Sequence, residues 1–459
     1  MINGGYKILN EQFLSTAFIA DDGIFQNIEH IDLSCAKFKS NLMRMLPSTL
    51  KTLRFREMSL VSFEEIQCIS HLVNLTSLSI VKCRIHDGSF LQALVQLPPL
   101  RHLTTLRLRN DPLGGAVVSE LVRTGHFSKL THLDLSYNTI GDAGIQEFTE
   151  SPYLGNLTIL DLSWSCFGNA SVILIAKSPY LGNLTQLFLN VNRNIGDEGI
   201  IELTRSPYLR QLTELGLAQT EITSRGLMSI LESQCLTSLS TLDVSMTKFG
   251  KCDEAILAAL PQCVFTSSIT SLDLSYAFTD DTLLPMVMNT PLLMNLRTLN
   301  LKFGNYHWCY NEHINYMLTH AEALARSPYI RNITNLNLSS NDIKEDWLEV
   351  LANSSNFSKL TTLNLSCNDI DRGGLRFLLE SPYLSSLTDL DLAYNKIRER
   401  GATDLAYSKL LGQLKHLNVL HNRIPRDTLQ ELREYKLRKG YKDLELELKS
   451  PRRSDSDSE

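Results

Sequence analysis

The sequence predicts an α/β solenoid, in which short parallel strands stack into the concave sheet of a horseshoe and a helix covers the convex side of every unit. Three observations lead there. One phrase recurs nearly verbatim, as Leu130-Thr-His-Leu-Asp-Leu-Ser-Tyr-Asn138, Leu360-Thr-Thr-Leu-Asn-Leu-Ser-Cys-Asn368 and Leu387-Thr-Asp-Leu-Asp-Leu-Ala-Tyr-Asn395. Its spacing of about 27 residues is the kind of period that marks stacked repeats. Within each copy, the leucines alternate with polar residues as a half-buried strand requires.

Taken in order, each unit reads strand, turn, helix, turn. Leu133 and Leu135 point one way along the strand while Asp134 and Ser136 point the other. A polar residue follows, often asparagine (Asn138, Asn341, Asn368, Asn395, Asn422), and then an apolar one (Ile140, Ile343, Ile370, Ile397, Ile424). A buried asparagine there can satisfy loop backbone groups that have no ladder partner. Gly141 to Phe148 reads as a helix start, with Asp142 as its N-cap and Ile145 and Phe148 facing inward. Ser-Pro-Tyr-Leu at Ser151, Ser178, Ser206 and Ser381, with Ser-Pro-Tyr-Ile at Ser327, ends the helix, because proline lacks an N–H and disfavours helical geometry before it.

Aligned this way the chain divides into a cap over residues 1–27, about fifteen units over 28–424, a capping helix within 425–449 and a polar disordered tail over 450–459. The middle departs from the pattern. Thr220, Thr247, Ala277 and Gly304 replace the asparagine, which puts a continuous asparagine ladder there in question. An insertion around 303–320 lengthens one unit, and such insertions map to loops that often bind.

The pattern Leu-x-x-Leu-x-Leu-x-x-Asn-x-Ile, with a helix in every unit, resembles the leucine-rich-repeat superfamily, closest to its ribonuclease-inhibitor-like subclass. The phrase Ser-Pro-Tyr-Leu-x-x-Leu-Thr-x-Leu-Asp-Leu resembles, more loosely, tandem arrays in bacterial proteins that include effectors of intracellular pathogens. That second resemblance implies a virulence effector translocated into a host cell, with the Ser/Asp tail as a candidate export signal.

Composition narrows the class. A formal net charge of −6 argues against a nucleic-acid-binding body. The first twenty residues lack a basic start and a continuous apolar run, so no classical signal peptide is expected, and no stretch is apolar enough to insert in a membrane. Nine cysteines without a Cys-x-x-Cys doublet point to reduced thiols in the cytoplasm. The sequons at Asn156, Asn183 and Asn332 fall where the repeat itself asks for Asn-Leu-Thr or Asn-Ile-Thr.

Candidate binding residues are those the repeat leaves facing solvent on the concave side: Arg107, Arg109, Asp134, Tyr137, Asp161, Trp164, Phe188, Asp243, Met246, Asp273, Tyr276, Phe303, Asp391 and Tyr394, with Trp308 in the insertion. Tyr137, Trp164 and Phe188 would supply apolar anchors beside a carboxylate row that attracts basic groups, the make-up of an interaction hot spot. A plainer role is open for each aspartate, that of solvating an exposed strand. Arg54, Arg56, Arg107 and Arg109 make the first units basic, fit either for an acidic or phosphate contact or for simple solvation.

Paired Asp134 and Asp161 could mimic an acid/base dyad, but the sequence offers no nucleophile or positioned base beside them. His307, Cys309, His313 and His320 are metal-ligand types in no closed zinc spacing, so neither metal nor cofactor is expected. The expected protein is a non-enzymatic, monomeric scaffold for protein–protein interaction. The alternatives are a regulator of the Ran GTPase-activator type, which this architecture also resembles, and a substrate-recognition subunit of a ubiquitin ligase.

Overall fold

A computed structural model describes residues 7–8, 28–34, 43–57, 66–83, 85, 88–110, 113–247, 249, 268–277, 283–303, 316–441 and 444–447. The chain packs as two compact units: Met1–Ile222 with Ser233–Leu239, and Thr223–Glu232 with Ser240–Glu459. Each is a solenoid of strand–turn–helix repeats with one parallel sheet.

In the first unit the strands run Lys7–Ile8, His30–Ser34, Thr52–Arg56, Ser77–Val81, Thr105–Arg109, His132–Asp134, Ile159–Asp161, Gln186–Phe188 and Glu214–Gly216, each paired in parallel with the next. Register is fixed by the leucines: Leu106 pairs with Leu133, Leu133 with Leu160, and Leu160 with Leu187. All four are buried in one apolar column. A one-residue slip would turn the whole column to solvent, which is why the pattern admits a single register. Ile145 and Phe148 of the helix Gly141–Glu150 are fully buried against this core, as the sequence required. That helix meets its neighbour Gly115–Arg123 so closely that a Cβ at Gly144 would lie 2.7 Å from the Gly115 Cα.

The second unit repeats the plan with strands Thr241–Asp243, Ser271–Asp273, Thr298–Asn300, Asn335–Asn337, Thr362–Asn364, Asp389–Asp391, His416–Asn418 and Glu445–Glu447. Both ends carry strands the sequence reading missed. Lys7–Ile8 lies in the segment expected only to shield the first unit, and Glu445–Glu447 follows the helix Arg426–Lys439 that was expected to close the chain. Residues 450–459 lie outside the described residues.

Three side-chain ladders hold successive repeats together, and each satisfies backbone groups that a short strand leaves unpaired. The first is the asparagine spine. Asn368 Nδ2 donates to the Leu338 and Leu365 carbonyls at 3.0 Å, and its Oδ1 accepts from the Asn341 and Ile343 amides at 2.8 and 3.0 Å. Asn138, Asn192, Asn395 and Asn422 likewise donate to the carbonyl three residues back and to one in the preceding repeat. Where threonine stands instead, the ladder is halved rather than absent: Thr220 Oγ1 and Thr247 Oγ1 donate to the carbonyls of Leu217 and Val244, three residues back. A hydroxyl has one proton to give, so it cannot also bind the preceding repeat through a second N–H.

The second ladder belongs to the serine of Ser-Pro-Tyr. Ser151, Ser178, Ser206 and Ser381 donate at 2.6 Å to Val122, Thr149, Ala176 and Ala352, carbonyls at the ends of the preceding helices. The third caps helix N-termini across repeats. Asp142 accepts from the Gly168 amide and the Ser171 hydroxyl, so it caps the helix Asn169–Lys177 rather than its own. Asn169 does the same for Asp197–Thr204, through the Gly196 and Gly199 amides. The sequon asparagines also serve the stack: Asn156, Asn183 and Asn332 donate to the Ser128, Gly155 and Met294 carbonyls of the repeat before.

Asn368→Ala removes the side-chain partner of the Leu338 carbonyl and of the Asn341 and Ile343 amides, leaves the Leu365 carbonyl to Asn395 alone, and is expected to cost about 2–4 kcal/mol. Thr247→Ala removes one hydrogen bond and is expected to cost about 1 kcal/mol. Urea unfolding measures both, and faster exchange of the Ile343 amide reports the local opening. Equal losses for the two variants would contradict the role given to the asparagine.

Candidate protein-binding face

The strands place two kinds of residue on the solvent side of each sheet. The first is the Asp/Asn between the strand leucines, and the second stands one step before the asparagine spine. Tyr137, Trp164, Val191, Met246, Tyr276, Cys367 and Tyr394 occupy the second position, and all have φ between 55° and 62°. Left-handed backbone costs a non-glycine residue roughly 1–2 kcal/mol. It is held by the stack: the amides of Tyr137, Trp164 and Val191 donate to Ser163, Asn190 and Ala218 of the following repeat at 2.7–2.8 Å. In the second unit, Met246, Tyr276 and Tyr394 donate in the same way to Ser275, Lys302 and Leu420. The turn lifts these side chains off the core, leaving Trp164 45% and Tyr394 55% exposed.

In the first unit this geometry assembles an aromatic stack. The Tyr137 and Trp164 rings lie 5.0 Å apart at 22°, and the Arg109 guanidinium sits 4.8 Å from the Tyr137 centroid. Phe188 is half-buried beside them. Gly216 in the next strand gives it room, since a Cβ there would come within 2.9 Å of the Phe188 ring. Trp164, Tyr137 and Phe188, the three expected anchors, thus share one patch with Arg109, bordered by Asp134, Asp161 and Arg107 on adjacent, in-register strands.

The expected residues of the second unit form no comparable stack with one another among the described residues. Tyr394 stacks on His421 at 4.1 Å, a partner the sequence reading did not name, and Lys302 lies 5.8 Å over Tyr276. Met246 is exposed, while Phe303 is half-buried, with its amide on the Ser339 carbonyl at 3.3 Å. Trp308, His307, Cys309 and His313 lie outside the described residues; His320 belongs to the helix Tyr316–Arg326.

The carboxylate row has a structural task. Asp134, Asp161, Asp243, Asp273 and Asp391 each accept, through Oδ1, the amide two residues on, at 2.9–3.0 Å, closing the strand end. Asn337 and Asn364 make the same bond without a charge. The carboxyls of Asp161, Asp243 and Asp391 are pushed above the usual carboxylate range, in each case mainly by burial, and at Asp161 next by the charge of Asp134 beside it. His132, on the same strand as Asp134, is held below the usual imidazole value by burial and then by Arg107.

These are the features of a repeat solenoid with an aromatic patch on its sheet. A family model described as a leucine-rich repeat matches residues 128–148, 156–176, 358–379 and 383–406. No curated protein matches the sequence. Among solved structures, the fold is similar to an internalin from Listeria monocytogenes, at 19% identity over 85% of this chain and 89% of that one, with a TM-score of 0.46. It is also similar to a chain of the mouse RP105/MD-1 complex, at 18% identity over 92% of this chain and 75% of that one, with a TM-score of 0.49. No described helix is long and apolar enough to cross a membrane.

Two stability predictions follow from this geometry. Val191 is β-branched in left-handed backbone, so Val191→Asn is expected to raise stability by roughly 0.5–1 kcal/mol. Asp161→Asn keeps an oxygen for the Ser163 amide and removes a like-charge neighbour of Asp134, for a gain of about 0.5–1 kcal/mol at neutral pH. Because the folded Asp161 carboxyl is raised, its ionised form opposes folding above that pKa. This penalty fades as the pH falls through the folded pKa toward the unfolded value, and the advantage of the variant should vanish over the same window. Thermal unfolding across pH 3–7 measures it, and a gain that persisted in acid would refute the assignment.

Proposed function

We propose that the chain is a non-enzymatic scaffold that binds a protein partner through the exposed sheet face of its first unit, centred on Trp164. The carrying observation is the stack of Arg109, Tyr137 and Trp164. Large aromatic groups held rigid by the backbone lose little freedom on binding and provide the contacts that dominate interfaces. The adjoining strands supply a flat, regular surface, with Phe188 as a second anchor and Arg107, Asp134 and Asp161 as a charged rim. An effector role, implied by the resemblance carried by Ser-Pro-Tyr-Leu, would place that partner in a host cell.

The test is affinity capture with the intact chain, a Trp164→Ala, Phe188→Ala double variant and a Tyr394→Ala control. Truncating two central anchors is expected to weaken capture by about 30-fold or more while circular dichroism stays unchanged. The control in the second unit should retain it. Undiminished capture by the double variant would overturn the proposal, and stimulation of GTP hydrolysis by a small GTPase would replace the scaffold reading with the regulatory one.

A further inference from the structure

We propose that the patch around Trp164 receives an arginine side chain of the partner, its guanidinium lying on the open face of the indole and paired with the carboxylates of Asp161 and Asp134. The inference rests on the binding-face reading above and specifies its partner chemistry. Four observations carry it.

First, Asp134 and Asp161 are direct neighbours across parallel strands, so two half-buried carboxyl groups stand side by side on the sheet face. Among the described residues neither forms an ion pair: Arg107 is the register partner of Asp134 without bonding to it, and Arg109, whose charge acts on Asp161, lies over the Tyr137 ring. Second, the fold requires only an oxygen at these places. Asn337 and Asn364, also on adjacent strands, close their strand ends with the same hydrogen bond and no charge. The two negative charges are therefore superfluous to the strand-end bond and unfavourable to each other, as expected of groups that await a cation.

Third, the Ser163 hydroxyl, between Asp161 and Trp164 in sequence and on the same side of the strand as Asp161, is buried to 7% exposure without a hydrogen-bond partner. The equivalent Ser136 hydroxyl donates to Asp134 at 2.6 Å, so the carboxylate of Asp161 lacks a bond that its neighbour has and keeps more of its accepting capacity for an outside donor. Fourth, the stack is half capped. Tyr137 carries the Arg109 guanidinium, but the position after Trp164 is Val191, which supplies no ring and no charge. A planar guanidinium on the indole would extend the same alternation and offer its remaining N–H groups to the carboxylates, a fit that the rounder lysine ammonium matches less well.

The experiment uses the full chain with its three tryptophans labelled with nitrogen-15, the Trp164 indole signal being assigned by Trp164→Phe. The probes are acetyl-Gly-Arg-Gly-amide, the same peptide with uncharged, isosteric citrulline, and acetyl-Gly-Glu-Gly-amide. The arginine peptide is expected to shift the Trp164 signal saturably, with a dissociation constant on the order of millimolar, and the citrulline peptide to bind at least about tenfold more weakly. Asp161→Asn, which retains the strand-end bond, is expected to lower arginine affinity about tenfold. Equal binding of arginine and citrulline peptides, undiminished affinity in Asp161→Asn, or preference for the glutamate peptide would each overturn the proposal. If the arginine peptide fails to bind while protein capture still depends on Trp164 and Phe188, the cation site is refuted and the binding face stands.

Discussion

Backbone groups that strands of three residues cannot pair are satisfied by side chains reaching into the neighbouring repeat, and everything else in the structure depends on this. A strand such as Leu363 between Thr362 and Asn364 makes few ladder bonds before the chain turns. The carbonyls and amides beyond it would be buried and unpaired, at a cost of about 1–3 kcal/mol each. Asn368 meets four of them at once, and serine and threonine hydroxyls meet others at the helix ends and strand starts. Because most of these bonds cross to a neighbour, no repeat is complete alone and stability is a property of the stack.

The same constraint produces the binding face. Turning the chain sharply enough to bring asparagine inward forces the preceding residue into left-handed backbone, and that residue then stands clear of the core. Tyr137, Trp164, Met246 and Tyr394 are exposed because of the turn that buries Asn138 and its counterparts. Their positions are rigid because their amides belong to the ladder. Recognition residues are therefore spaced by the repeat itself, about one strand separation of 4.8 Å apart, close enough for neighbouring rings to stack.

Much of this was legible in the sequence because it depends on residues close together in the chain. The leucine alternation gave strand, register and core, and the asparagine after it gave the spine. What escaped depends on partners roughly a full repeat away. Asp142 looks like the cap of its own helix, but the donors it accepts from are the Gly168 amide and the Ser171 hydroxyl. The serine of Ser-Pro-Tyr looks like a helix stop, yet it closes the previous helix. Left-handed backbone was hidden because tyrosine, tryptophan and valine occupy it, where a glycine would have announced it. The last strand, Glu445–Glu447, does carry its alternation openly between Leu444 and Leu446, but the helical periodicity before it drew the segment into a capping helix.

Occupancy of the left-handed positions separates what the fold needs from what it carries. One repeat has Asn110 there, a residue type that tolerates φ of 59° at little cost, so the scaffold can be built with an undemanding side chain. Tyr137 and Trp164 occupy the next two repeats, where their backbone is strained and their rings remain in water. Stacking on each other and beneath Arg109 returns part of that cost, about 0.5–1.5 kcal/mol for an aromatic pair. It does not require a ring as large as indole, nor one left 45% exposed. The excess apolar surface at Trp164, beside charges that the strand-end bonds do not need, is what the proposed contact outside the chain would use, since among the described residues only Tyr137 stacks on the indole.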